Sequence, residues 1–240
     1  MSIKGYWISL FKKKAINIDE NLLRATIKKH NVQEWFYYGQ FKQRENYWNS
    51  WQTSFFLAKK LPSSSSILET GCGPGLNLFW FYQNGFKNVY GVDILRDCIE
   101  AGKELGRLMN YNIHLWVDNC TTPAEKSQRN YDAVMALNWT YLDPEFELNN
   151  FMRTYSEMLN NNGYFCIDII DTSFNKNPNS KYLSSDWSKP ENERRPTEYK
   201  VRYSKEDVLK MSQIYGMKLL KRIESSKDII PKVLYILKKI

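Results

Sequence analysis

Ile67-Leu68-Glu69-Thr70-Gly71-Cys72-Gly73-Pro74-Gly75 decides how the rest of the chain is read. A short apolar run ends in an acidic residue, three glycines follow at every second position, and an amphipathic segment runs from Leu76 to Tyr82. This order predicts a buried parallel strand, a tight turn and the start of a helix. Glycine admits backbone conformations that a side chain forbids, and it lets a ligand lie directly against the chain. Nucleotide-type ligands bind at such strand-to-helix turns, at the carboxyl edge of an open α/β sheet.

Two chemistries compete for a turn of this kind. The dinucleotide fingerprint G-x-G-x-x-G/A holds a pyrophosphate on helix amides. Here Leu76 stands at its third glycine position, and Glu69 is a poor neighbour for a pyrophosphate. A carboxylate suits a cofactor with a cationic end, such as an α-ammonium group. The phosphate-loop pattern G-x-x-x-x-G-K-[ST] is absent. Glu69 to Gly75 matches E/D-x-G-x-G-x-G at every fixed position, and in this the sequence resembles the class I (Rossmann-like) S-adenosylmethionine-dependent methyltransferases, of the small-molecule type. The resemblance implies a doubly wound, seven-stranded, mostly parallel α/β sheet of order 3-2-1-4-5-7-6, with the last strand antiparallel and extra N-terminal helices. It also implies S-adenosyl-L-methionine as cofactor and S-adenosyl-L-homocysteine as product.

At 240 residues, 42% hydrophobic and 25% charged, the chain has room for one α/β domain with a full core. No apolar run approaches the length of a membrane span. Lys12-Lys13-Lys14 follows an apolar stretch instead of preceding it, the wrong order for a secretory signal. The cysteines Cys72, Cys98, Cys120 and Cys166 show no C-x-x-C spacing, so no metal site is expected and a cytoplasmic, reducing setting is. The net charge of +8 has two readings. It fits an anionic partner, and it also fits a lysine-rich composition with no long basic block.

In chain order, residues 1–61 read as an arm and capping helices, and 62–240 as the methyltransferase domain. Asp19 is an N-cap for a helix over Glu20 to Asn31, and a second helix is expected from Phe41 to Leu61. The many aromatics between Trp35 and Phe56 are expected to pack these helices onto the sheet. By the resemblance, Tyr37, Tyr38, Tyr47 or Trp48 lines the pocket. A second strand ends at Asp93, 18 residues after Gly75, close to the roughly 20-residue offset of a ribose-binding acid. The other reading of Asp93 is a helix N-cap. A third strand, Asn112 to Asn119, also runs into an acid, Asp118. His114 on it is expected to pack, and Thr121 to Gln128 to make a helical turn or two. A fourth strand, Tyr131 to Leu137, leads into Asn138-Trp139-Thr140-Tyr141. Pro144 is expected to open a helix to Leu159 that Asn160 to Gly163 closes, before a fifth strand, Tyr164 to Asp171. A polar insertion over 172–203 reads as a lid. A helix from Ser204 to Tyr215 and strands Met217 to Ile223 and Val233 to Leu237 follow.

The resemblance places the cofactor on Glu69, Gly71, Cys72, Gly73, Gly75, Asp93, Ile94, Asp118, Asn119 and Asn138, with Asp93 on the ribose and Asp118 and Asn119 on the adenine. Tyr37, Tyr38, Trp139, Tyr141 and Arg194 are the candidates for binding the acceptor. A general base, if one is used, is sought among Asp168, Asp171, Tyr141 and His30. The expected activity is methyl transfer to O or N of a small, anionic (phosphorylated or sugar-linked) metabolite. The alternatives are an RNA or DNA methyltransferase and a non-catalytic cofactor-binding protein. Trp139 and Thr140 stand where the [DN]-P-P-[YF] signature of amino-methylating DNA enzymes has its prolines, and the Pro-Cys nucleophile of cytosine-C5 enzymes is missing. Both absences count against a nucleic-acid acceptor.

Overall fold

The computed structural model describes residues 16–33, 35, 48–124, 130–173, 182–183, 196–197, 201–224 and 232–240, with the side chains of Trp48, Tyr182, Leu183, Pro196 and Thr197 left aside. Seven strands make one sheet: β1 (Ser66–Thr70), β2 (Asn88–Asp93), β3 (His114–Val117), β4 (Tyr131–Ala136), β5 (Leu159–Ile170), β6 (Met217–Glu224) and β7 (Lys232–Lys239). Their order is 3-2-1-4-5-7-6, as the resemblance implies. β1 pairs in parallel with β2 and β4, and β7 runs antiparallel to both β5 and β6.

The inner strands β1, β4, β5 and β7 are largely apolar on both faces because both are covered. Ile67, Met135, Cys166 and Leu234 join one buried cluster, while their neighbours Leu68, Val134, Phe165 and Val233 join the other. This alternation is the two-residue period of a strand. The first layer contains α1 (Glu20–Lys29), α2 (Trp48–Lys60), α3 (Leu76–Gln83) and α4 (Arg96–Leu108). The second contains α5 (Leu148–Glu157) and α6 (Lys205–Ile214). The described aromatics of α2 pack as expected, Trp51 and Phe55 edge-on to Trp80 of α3 and Phe56 against Tyr164 of β5.

Several boundaries differ from the sequence reading. α1 stops at Lys29, where the Val32 N–H returns to Ile27 O and Asn31 adopts φ +58°. Pro144 does not open a helix. Asp143 Oδ1 captures the Glu145 N–H at 3.0 Å in a local turn, and α5 begins at Leu148, whose N–H donates to the Tyr203 hydroxyl at 2.9 Å. Asn160 to Gly163 is not a closing loop either, since Leu159 already pairs with Tyr131 and strand β5 starts there. Thr121 to Ala124 is non-helical because Asn119 Oδ1 takes the N–H groups of Thr121 and Thr122. Most of the 172–203 insertion lies outside the described residues. Within it, Tyr182–Leu183 pairs antiparallel with Pro196–Thr197.

β1 and β4 are neighbours in the sheet although β2 and β3 lie between them in sequence. That reversal of strand order opens a crevice at the carboxyl edge, and the glycine turn follows β1 directly into it.

Candidate active site

The three glycines of the turn all have left-handed backbones, with φ of +62° at Gly71, +53° at Gly73 and +75° at Gly75. Other residues reach this region only at a cost. Two of them also lie under tryptophan rings. A Cβ on Gly71 would sit 2.3 Å from the Trp139 indole, and one on Gly73 would sit 2.5 Å from the Trp35 ring. The loop is tied to the ends of neighbouring strands. Asp93 Oδ2 accepts the Gly73 N–H at 2.7 Å, and Asp93 Oδ1 accepts the Leu95 N–H at 2.8 Å. Cys120 Sγ accepts the Gly71 N–H at 3.2 Å, and the Cys72 N–H donates to Val92 O at 3.1 Å. Asp93 thus braces the cradle at 6% exposure, and burial raises its carboxyl above the ordinary range against the pull of its backbone donors.

Glu69 lies beneath the cradle at 4% exposure. Its Oε1 accepts from Asn77 Nδ2 at 2.6 Å, while Oε2 is buried with no hydrogen-bond partner among the described residues. Burial pushes its carboxyl up to about 8, the Asn77 bond works against that, and the nearby Asp93 charge adds to it. A buried acceptor left open is costly unless a ligand completes it. Asn77 escaped the sequence reading, although it is the one polar residue in Leu76-Asn77-Leu78-Phe79-Trp80-Phe81 and so carried a signal.

Ile94 beside Asp93 is 64% exposed and Leu95 is 45% exposed, an apolar pair on the rim of the crevice. Asp118 continues the pairing of β3 through its N–H to Asp93 O at 3.1 Å. Its carboxylate accepts the N–H groups of Asn119 at 2.7 Å and of Ala124 at 3.0 Å, so it shapes the turn that follows.

On the other side of the crevice Asn138, two residues after β4, has a left-handed conformation, φ +67°. Its N–H donates to Asp168 Oδ1 at 2.7 Å, its Nδ2 donates to Ser50 Oγ at 2.7 Å, and its Oδ1 accepts from Lys232 Nζ. Asp168 is wholly buried and also accepts from Asn49 Nδ2 at 3.1 Å and, through its backbone carbonyl, from the Thr140 hydroxyl at 2.8 Å. The buried Tyr141 ring lies 5.7 Å from Lys232 Nζ. Asn49, Ser50 and Lys232 had no sequence signal beyond being polar residues at the ends of apolar elements.

The remaining candidates are dispersed. His30 Nε2 contacts Glu104 of α4 at 2.7 Å, and α4 covers β2 and β3, away from Asp168 on β5. Asp171 lies at the end of β5, bonded to the Ser173 N–H at 2.8 Å and to Arg222 at 3.3 Å. Those donors outweigh partial burial and hold its carboxyl below the usual range. It lines an open depression of about 410 Å³ with Ser204, Lys205, Glu206 and Arg222. His114 stacks on Tyr90 at 5.0 Å, as a packing residue would. Tyr37, Tyr38, Tyr47 and Arg194 lie outside the described residues. Among the described residues there is no cluster of His, Cys, Asp or Glu that could hold a metal.

A reversal of strand order, a left-handed glycine turn and an acid at each of three strand ends define the class I methyltransferase architecture. The sequence pattern of the methyltransferase domain family matches residues 41–210, and the chain belongs to that family. Solved structures agree in fold. Magnesium protoporphyrin IX methyltransferase from Synechocystis PCC 6803, with bound S-adenosylhomocysteine, superposes with a TM-score of 0.66 at 12% identity, over 92% of this chain and 100% of that one. A S-adenosylmethionine-dependent methyltransferase from Clostridium acetobutylicum gives 0.55 at 16% identity over 99% of both chains. TehB from Haemophilus influenzae gives 0.58 at 16% identity over 79% of this chain, which spans only 62% of TehB. No curated protein sequence matches the chain.

Proposed function

We propose that the crevice binds S-adenosylmethionine and that the methyl group passes to an oxygen or nitrogen of a small, anionic metabolite. The observation that carries the donor reading is Glu69, whose buried, open Oε2 lies under a glycine cradle at the topological switch point. A ligand ending in an ammonium group supplies the donor that this carboxyl lacks. Asp93 retains lone pairs for ribose hydroxyls beyond the backbone N–H groups it already accepts. Ile94 and Leu95 offer apolar cover to a base, and the rim turn from Asp118 to Asn119 supplies its polar edge.

The bound donor brings a sulfonium carbon that is already activated toward displacement. What the protein then contributes is alignment of an acceptor atom with that carbon and exclusion of water. The turn Asn138–Tyr141 is the element set to do this, because it is fixed from three directions and carries Trp139 onto the cradle. Asp168 acts from within the sheet and supports the turn instead of touching the acceptor. The net charge of +8 favours an anionic acceptor. The four buried free thiols fit a reducing compartment.

A metabolite screen with a labelled methyl donor tests the acceptor. Label in a small phosphorylated or sugar-linked product is the expected result. Label found only in RNA or DNA would replace this reading with the nucleic-acid one.

A further inference from the structure

β7 runs against β5, so its first residue, Lys232, lies where the parallel strands end. Strand alternation puts Lys232 and Asp168 on the face shared by Leu234 and Cys166, beneath the start of α2. Both side chains are buried, at 3% and 0% exposure. Between them sits Asn138, with its N–H on Asp168 and its side-chain oxygen on Lys232. Opposite charges buried near one another are a weak source of net stability, since desolvating both offsets most of their attraction. What they supply is direction.

We propose that Lys232 and Asp168 act as a positioning pair that fixes Asn138 and, through it, holds the Trp139–Tyr141 turn against the glycine cradle. The backbone of Asn138 is left-handed, a conformation asparagine tolerates better than other non-glycine residues, and its contacts to Asp168 and Lys232 hold the elbow in place. Ser50 of α2 provides the third restraint. The groups facing Asp168 are Lys232 from β7, Asn49 from α2, and Asn138 and Thr140 from the turn. Among the described residues, the Tyr141 ring also lies against the lysine. Burial raises the Asp168 carboxyl, and the Lys232 charge draws it back down. Removing the lysine therefore leaves an anion buried without that compensation, and the cost grows with pH as the carboxyl loses its proton. The inference rests on the cradle being the donor site.

The test is calorimetry with S-adenosylhomocysteine on wild type, Lys232→Met and the neutral pair Lys232→Met/Asp168→Asn, between about pH 6 and pH 8. Lys232→Met should bind about tenfold more weakly at the upper pH, with a smaller loss at the lower one. The neutral pair should follow the wild-type pH profile but keep a pH-independent loss of affinity, because Asn138 Oδ1 no longer meets Lys232. Glu69 titrates in all three proteins and cancels from the comparison. If Lys232→Met does not fold, the neutral pair carries the test. A pH-independent loss there supports the proposal, and wild-type affinity overturns it. Wild-type affinity in a folded Lys232→Met, or the same pH-dependent loss in both variants, also overturns it. A wild-type protein that binds no S-adenosylhomocysteine removes the donor reading and this inference together.

Discussion

Glu69 is the residue on which the proposed cofactor recognition and pH meet. Its folded pKa, about 8, lies above the ordinary 4.5 because burial disfavours the charge. The folded state therefore holds a proton that the unfolded chain releases, and Glu69's contribution to stability falls as pH rises from about 4.5 to about 8. Glu69→Gln should flatten that slope in melting curves recorded across the window. An ammonium group brought beside Glu69 should also expel the proton. Calorimetry near neutral pH, in buffers of different ionisation enthalpy, should then show close to one proton released per cofactor bound, and none in Glu69→Gln. An equal release in the variant would place the titrating group elsewhere. Gly73→Ala tests the cradle itself. A left-handed backbone costs an L-residue about 1–2 kcal/mol, and the added Cβ would strike Trp35, so cofactor affinity should fall at least tenfold.

At the scale of elements, function and stability separate cleanly. α6 opens with a capping box in which Ser204 Oγ accepts the Asp207 N–H at 3.1 Å and Asp207 Oδ2 accepts the Ser204 N–H at 2.9 Å. Ser204→Ala should lower stability by about 1 kcal/mol in denaturant titration and leave cofactor affinity unchanged. His30 ends α1 against Glu104 of α4, so His30→Ala should leave methyl transfer intact. A large loss of rate there would reinstate it as a base. The elements themselves were legible where one pattern dominated, as in the apolar run into Glu69 and the Ser204-x-x-Asp207 cap. They were misread where a side chain rewrote the backbone locally. Asp143 and the Tyr203 hydroxyl together moved the start of α5 from Pro144 to Leu148.

Across the whole molecule, the strand order followed from the resemblance, and the acids ending β1 and β2 and following β3 were visible one by one. The support beneath them was not, because it is made by contacts distant in sequence. Asn138 meets Lys232 across 94 positions and Ser50 across 88, and no local periodicity records such a meeting. The net charge of +8 gives the competing reading its own signature. If nucleic acid were the acceptor, binding to it would weaken steeply with salt, roughly linearly on logarithmic axes. A small-molecule enzyme should show only weak binding that vanishes at physiological ionic strength. The donor site is tested most directly by titrating the wild-type protein with S-adenosylmethionine and with S-adenosylhomocysteine. Saturable one-to-one binding of both, lost in Gly73→Ala and weakened in Asp93→Ala, is the predicted result. No binding of either at high micromolar ligand, by a protein that melts cooperatively, would contradict it.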